Sequence, residues 1–290
     1  MIDFNDGEEM PNKFGGSEAK TTVLYKNTVY IIKYPDPVRQ KKNILSYMNN
    51  QFSEHIGCRI FAACGINAQE TVLGYLKDIN GKNKIVVGCK DFTQDGSKLH
   101  EFSKFVNQVQ VEGKEGLTIE SVVEVINRSR FVDNKEITEK FWDMFVVDAL
   151  IGNSDRHFDN WGIIEKGNYR QFAPIYDCGS ALASLLHDDK MKELLDNHIE
   201  FKNQEYNRTS CYNMGGKKIY YHEIFKNPPE DLTQAIKRVI PKINMAYVYE
   251  IIDSVCLMSD VRKEYLKNAV KIRYEQILKP ALNKLLVARK

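Results

Sequence analysis

Along the chain the apolar positions change period twice. Residues 22–26 and 29–34 are rich in β-branched and aromatic side chains and break at Asn27, which predicts two strands joined by a tight turn. Residues 40–64 carry Ile44, Met48, Phe52, Ile56, Ile60 and Ala63 at helical spacing and stop before Gly65, so one long helix is expected there. Strand character returns over 70–76 and 84–92, around Asn80-Gly81. Together these pieces predict a small antiparallel sheet with one helix. Residues 1–13 are polar and read as a loose lead-in.

After Thr93-Gln94-Asp95-Gly96 the period becomes helical, with helices expected over 99–108, 118–129 and 137–150. Two short apolar pieces, 161–164 and 172–176, flank Gly167-Asn168 and predict a hairpin. Apolar pieces follow over 181–186 and 191–195, then a polar stretch over 203–218. Helices are expected from Pro229, with acids in the first turn, and over 241–258 and 261–290. The expected fold is therefore α+β and bilobed: residues 14–92 form a sheet lobe, residues 93–290 a helical lobe, and a ligand cleft lies between them.

Composition narrows the function classes. The chain has 290 residues, 43% hydrophobic and 28% charged, which is ordinary for a globular protein. A net charge of +2 gives no basic field that would call for nucleic acid, so no DNA partner is expected. No apolar run is long enough for a membrane span, and the acidic start is unlike a secretory signal, so a cytoplasmic protein is expected. Six cysteines without a C-x-x-C pair predict buried reduced thiols rather than disulfides or zinc.

The chemistry concentrates in residues 147–178. An apolar helical run ends at Gly152-Asn153, and Asp155, Arg156, His157, Asp159 and Asn160 then fall within six positions. Asp155 and Asn160 are five apart, and Asp177 follows 17 residues later, straight after the second piece of the hairpin. Such a set suits metal-assisted phosphoryl transfer, which needs a group to take a hydroxyl proton and oxygen ligands for Mg²⁺. Upstream, Gly15-Gly16-Ser17 reads as a turn whose backbone could approach phosphates, although two glycines alone favour a plain turn. Lys33 ends an apolar strand beside that turn; such a lysine can be a snorkelling edge residue, but here it is placed to reach phosphates. Glu54, on the predicted helix, could pair with Lys33 and orient it.

The wording of these segments, G-S-E-A-K-T, I-I-K-Y-P, N-S-D-R-H-F-D-N-W-G-I and A-P-I-Y-D, resembles that of the HipA-like serine/threonine kinases over residues 14 to 260. The resemblance implies a bilobed protein-kinase-like fold, ATP and Mg²⁺ as cofactors, and a protein substrate with a Ser or Thr acceptor. It implies nucleotide contacts at Gly15, Gly16, Ser17, Lys20 and Lys33, hinge contacts at Gly88, Cys89 and Lys90, a catalytic base at Asp155 and metal ligands at Asn160 and Asp177. His157 lies in the same catalytic loop. It also suggests export into another cell. HipA itself has a serine before its glycine loop whose phosphorylation inactivates it; Lys13 or Phe14 stands there, so that self-inactivation is not expected.

Other readings share parts of this pattern. In phosphoinositide kinases D-R-H-x-x-N gives the proton to the histidine, but residues 178–197 lack the basic loop that an inositol phosphate needs. An aminoglycoside-type phosphotransferase would use the same loop on a small molecule. A non-catalytic pseudokinase would usually lack one of Lys33, Asp155, Asn160 and Asp177. The protein-kinase reading leads, with autophosphorylation expected and residues 203–216 as a polar platform for the acceptor segment.

Overall fold

The computed structural model describes residues 1–12, 20–35, 49–78, 80–109, 117–129 and 133–287. Six strands form the main sheet: β1 (Ile2–Asp3), β2 (Glu8–Met10), β3 (Lys20–Tyr25), β4 (Thr28–Lys33), β5 (Thr71–Lys77) and β6 (Asn83–Lys90). Their order is β1-β5-β6-β4-β3-β2. β1 runs parallel to β5 and all other neighbours are antiparallel.

The side-chain period of two divides this sheet into faces. Ile32 and Val86 pack with Phe4 and Val23 on one face. Val87 and Cys89 join the main core on the other, with Ile56, Cys58 and Phe61 of helix α1 (Asn50–Ala63). The expected helix over 40–64 is thus described from Asn50 onward; residues 40–48 lie outside the described residues. The loose lead-in is corrected. Residues 2–10 supply both edge strands of the sheet, and Phe4, 1% exposed, fills its outer face.

Three strands form a second small sheet: β7 (Lys98–Glu101), β8 (Gly162–Lys166) and β9 (Tyr169–Phe172), with β8 in the centre. The β8–β9 hairpin turns at Gly167-Asn168 as expected. The helix expected over 99–108 begins only at Phe102, as α2 (Phe102–Val109), because residues 98–101 pair with β8. Helix α3 (Ile119–Arg128) is capped by Thr118, whose hydroxyl accepts from the Ser121 amide. Helix α4 (Asn134–Ile151) is capped by Asp133, and from Phe141 to Ile151 every residue is buried.

The remaining chain is mostly helical: α5 (Asp188–Asp196), α6 (His198–Tyr206), α7 (Tyr221–Lys226), α8 (Glu230–Val239), α9 (Met245–Asp253), α10 (Asp260–Arg273) and α11 (Lys279–Val287). A π-helical segment, Tyr274–Leu278, joins the last two ahead of Pro280, where the missing amide hydrogen breaks the α ladder. The polar stretch 203–218 is no open loop. It holds the end of α6 and a hairpin, β10 (Thr209–Met214) and β11 (Lys217–Tyr220), turning at two left-handed glycines. Ser210 and Tyr212 of that hairpin are buried, while Met214, Gly215 and Gly216 at its turn are exposed. The whole is an α+β architecture, a sheet lobe against a helical lobe.

No helix among the described residues is long and apolar enough to cross a membrane. All six cysteines are free thiols and four are buried.

Candidate active site

The segment expected to carry the chemistry starts where α4 ends. Gly152 closes the helix with φ 66°, a left-handed turn that favours glycine. A Cβ there would also sit 2.9 Å from Arg273 Nη1, so the position is closed to larger residues twice over. One turn earlier, Asp148 is 1% exposed inside an apolar helix. Arg156 returns to it with Nε and Nη2, both at 3.0 Å from the carboxylate oxygens. Burial works against charging either group, but the bidentate pair outweighs it for Arg156, whose pKa is raised well above its ordinary value. Arg156 also donates to the carbonyls of Asn160, Tyr176 and Asp177 and to Cys178 Sγ. One buried side chain thereby ties the loop after α4 to the segment around Asp177.

Within that loop the backbone of Asp155 is held on both sides. Its N–H donates to Asn153 Oδ1 at 3.0 Å, and its carbonyl accepts from Asn160 Nδ2 at 2.7 Å. Asn153 is itself fixed by donating to Asp148 and by accepting from Tyr221 at its carbonyl. The Asp155 carboxylate is half-exposed, with Oδ2 taking a hydrogen bond from Ser180 Oγ at 3.0 Å. His157 Nε2 lies 4.0 Å from Asp155 Oδ1. The Asp159 amide donates to His157 Nδ1, so a neutral ring carries its proton on Nε2, the side of Asp155.

Across the cavity, Lys33 ends β4 with its ammonium 2.9 Å from Asp177 Oδ1 and 3.4 Å from Glu54 Oε2. Glu54 is fully buried on α1 and also accepts from the Asp177 amide at 3.0 Å. Asp177 adopts φ 57°, unusual for a non-glycine residue. Burial raises the Asp177 carboxyl, but Lys33, then Arg156 and His157, overcome that and hold it below the ordinary carboxylate range. The approach is close because α1 has a glycine at the contact: a Cβ on Gly57 would lie 2.6 Å from Cys178 Cβ.

These groups line one cavity of about 450 Å³. Lys20, Lys33, Asp155, His157, Asn160 and Asp177 all border it, and Glu54 stands behind Lys33. Lys20 is the cross-strand partner of Lys33. Gly15, Gly16 and Ser17 lie outside the described residues. Of the three hinge positions only Cys89 borders the cavity. Gly88 faces the opposite side, where a Cβ would meet Phe4 at 2.4 Å, and Lys90 pairs with exposed Glu70. The wall continues instead through Asp91 and Phe92.

Asp148, Asn153, Ser180, Asp91 and Phe92 were not singled out by the sequence pattern. For Asp148 a signal was present, because one acid in the run F-V-V-D-A-L-I must find a buried cation. Arg156, one of the five clustered residues, anchors its loop through the Asn160 and Asp177 carbonyls.

The donor set suits a hard cation. Asp177 offers a carboxylate, and Asn160, with Nδ2 spent on a carbonyl, offers its amide oxygen. Among the described residues no group of three or more His, Cys, Asp or Glu is arranged to hold a metal. A cation here would take few ligands from protein and the rest from phosphate and water. Two lysines, two oxygen ligands and a carboxylate facing the same space can therefore bind an anionic ligand with its cation and accept a proton beside it.

Comparison with known proteins places this geometry. The model of the HipA-like C-terminal domain matches residues 13–247. The serine/threonine-protein kinase CtkA of Helicobacter pylori strain J99 is 36% identical over 287 residues, covering 96% of this chain and 86% of that protein. The crystal structure of a Helicobacter pylori proinflammatory kinase CtkA superimposes with a TM-score of 0.91 at 34% identity, over 99% of this chain and 98% of that one. HipA of Shewanella oneidensis MR-1, solved with HipB and operator DNA, shares the fold at a TM-score of 0.55 and 12% identity, over 95% of this chain and 69% of that one. The chain belongs to the HipA-like C-terminal domain family.

Proposed function

We propose that this chain is an ATP-dependent serine/threonine-protein kinase whose transfer site is the cavity between Lys33 and Asp155. The observation that carries the reading is the contact of Lys33 with Asp177 at 2.9 Å across the cavity that Asp155 borders. The similarity to CtkA supports the same activity. The sheet lobe runs to Phe92 and the helical lobe follows.

Lys33, oriented by Glu54, and Lys20 neutralise the phosphates of the bound nucleotide. Asn160 and Asp177 would hold Mg²⁺, which would supply screening of the phosphate charge. Asp155 receives the hydroxyl of a Ser or Thr side chain and takes its proton as the Oγ–P bond forms and the nucleoside diphosphate departs. Catalysis of this kind is mainly positioning, and Arg156 supplies it by fixing both loops without touching substrate. His157 sits beside Asp155 at the cavity wall. The same hydroxyl site accepts a residue of the enzyme's own chain in autophosphorylation.

Nucleotide binding tests the reading. Millimolar Mg²⁺-ATP is expected to raise the melting temperature of the wild type, and Asp177→Ala to remove the Mg²⁺ dependence of that rise. An unshifted wild type would contradict it.

A further inference from the structure

Ser180 lies three residues beyond Asp177, on a turn held by backbone hydrogen bonds. The Ala181 amide donates to the Cys178 carbonyl, and the Leu182 amide donates to the carbonyl of Ile151 at the end of α4. Leu182 and Ala183 then follow with φ of 52° and 51°, two left-handed residues that reverse the chain. Cys178 is also pinned by the Arg156 guanidinium. The Ser180 hydroxyl is thus carried on a rigid arm of the same segment that presents Asp177.

Asp155, in contrast, is fixed at its backbone but has a half-exposed side chain. Ser180 Oγ at 3.0 Å supplies its only hydrogen bond from a side-chain hydroxyl among the described residues. The bond engages Oδ2 and leaves Oδ1 for an incoming hydroxyl. Without it the carboxylate could rotate about its χ angles, and an aspartate free to rotate is a poorly oriented base. We infer that Ser180 is a positioning residue for the phosphoryl-transfer reaction. It locks the Asp155 carboxylate in register with Asp177, so that the proton acceptor and the metal ligand move as one unit. This rests on Asp155 being the base, as proposed above.

Steady-state kinetics on the full chain, with Mg²⁺-ATP and a generic Ser/Thr protein substrate, separate the possibilities. Ser180→Ala is expected to lower kcat on the order of tenfold, with the KM for ATP held within about twofold. Ser180→Thr, which keeps the hydroxyl, should restore most of the rate. In an Asp155→Asn background Ser180→Ala should cost nothing further, because the bond it removes has no base left to orient. If Ser180→Ala fails to fold, Ser180→Cys keeps the volume while weakening the donor and gives the same reading. An unchanged kcat in Ser180→Ala beside an inactive Asp155→Asn would overturn the proposal, as would phosphate found on Ser180 of the wild type. A fully active Asp155→Asn would overturn the assignment of the base, and this proposal with it.

Discussion

Lys33 Nζ lies 2.9 Å from Asp177 Oδ1, joining residues 144 positions apart in sequence. Glu54, fully buried, reaches the same ammonium at 3.4 Å and the Asp177 backbone at 3.0 Å. One cation therefore balances two carboxylates, Asp177 at the cavity wall and Glu54 behind it. Replacing it by an isosteric apolar chain leaves two like charges facing each other. Lys33→Met is expected to cut turnover by at least about a hundredfold. It should also lower stability by about 3 kcal/mol, read from urea unfolding. A variant with normal kcat would show that the lysine is only a structural tie.

The pair Asp148–Arg156 makes a separate claim about stability. Both side chains are about 2% exposed, and breaking such a pair strands a charge in the core. Asp148→Ala is expected to cost about 3–5 kcal/mol in urea unfolding. Replacing both partners by Leu and Met should recover part of that loss while leaving activity low, since the Tyr176 and Asp177 carbonyls would lose their donor. Equal stability of Asp148→Ala and wild type would refute the role given to Arg156.

His55 gives stability a pH dependence. It sits between α1 and β5, with Nδ1 2.9 Å from Thr71 Oγ1. Burial, assisted by nearby Arg59, lowers its pKa from 6.5 to about 4. The folded state thus holds the ring neutral where the unfolded chain would protonate it. Its contribution is complete above pH 6.5 and is lost as pH falls from there toward 4. The gap between wild type and His55→Gln in chemical unfolding should accordingly narrow between pH 7.5 and pH 4.5. A gap that stays constant over that range would exclude this origin.

His157 and Asp155 border the same cavity. The His157 ring is 4.0 Å from the Asp155 carboxylate and meets Asp159 on its other nitrogen. His157→Gln should lower kcat less than Asp155→Asn does. The reverse order in kcat would move the proton to the histidine and the chain toward the lipid-kinase mechanism.

How far these features were legible in the sequence depends on whether their cause is local. Lys33, Asp155, Asn160 and Asp177 were readable because each stands at a strand end or in a short loop, where neighbours already define its setting. The β3–β4 and β8–β9 hairpins were readable from alternation and turn residues. β1 and β2 were not, since two or three mostly polar residues have no period, and β1 exists only by pairing with Gly74 and Tyr75. Residues 99–101 looked helical because Leu99, Phe102, Phe105 and Val106 share a helix face, yet pairing with β8 prevailed over that pattern. Strand alternation turns Gly88 and Lys90 away and brings Cys89 to the cavity, and Asp91 and Phe92 border it beyond the strand end, a placement that the spacing alone does not give. The bond from Ser180 to Asp155 spans 25 residues and has no sequence signature.

The most direct test is transfer of labelled phosphate from Mg²⁺-ATP by the purified chain, offered a generic Ser/Thr protein, phosphoinositide vesicles and an aminoglycoside in parallel. Label should appear on the protein substrate and on the enzyme itself, and Asp155→Asn should lower its rate by on the order of a hundredfold or more, with Asp177→Ala abolishing it. Label on lipid or aminoglycoside but not on protein, or undiminished transfer by Asp155→Asn, would contradict a protein kinase working through this site.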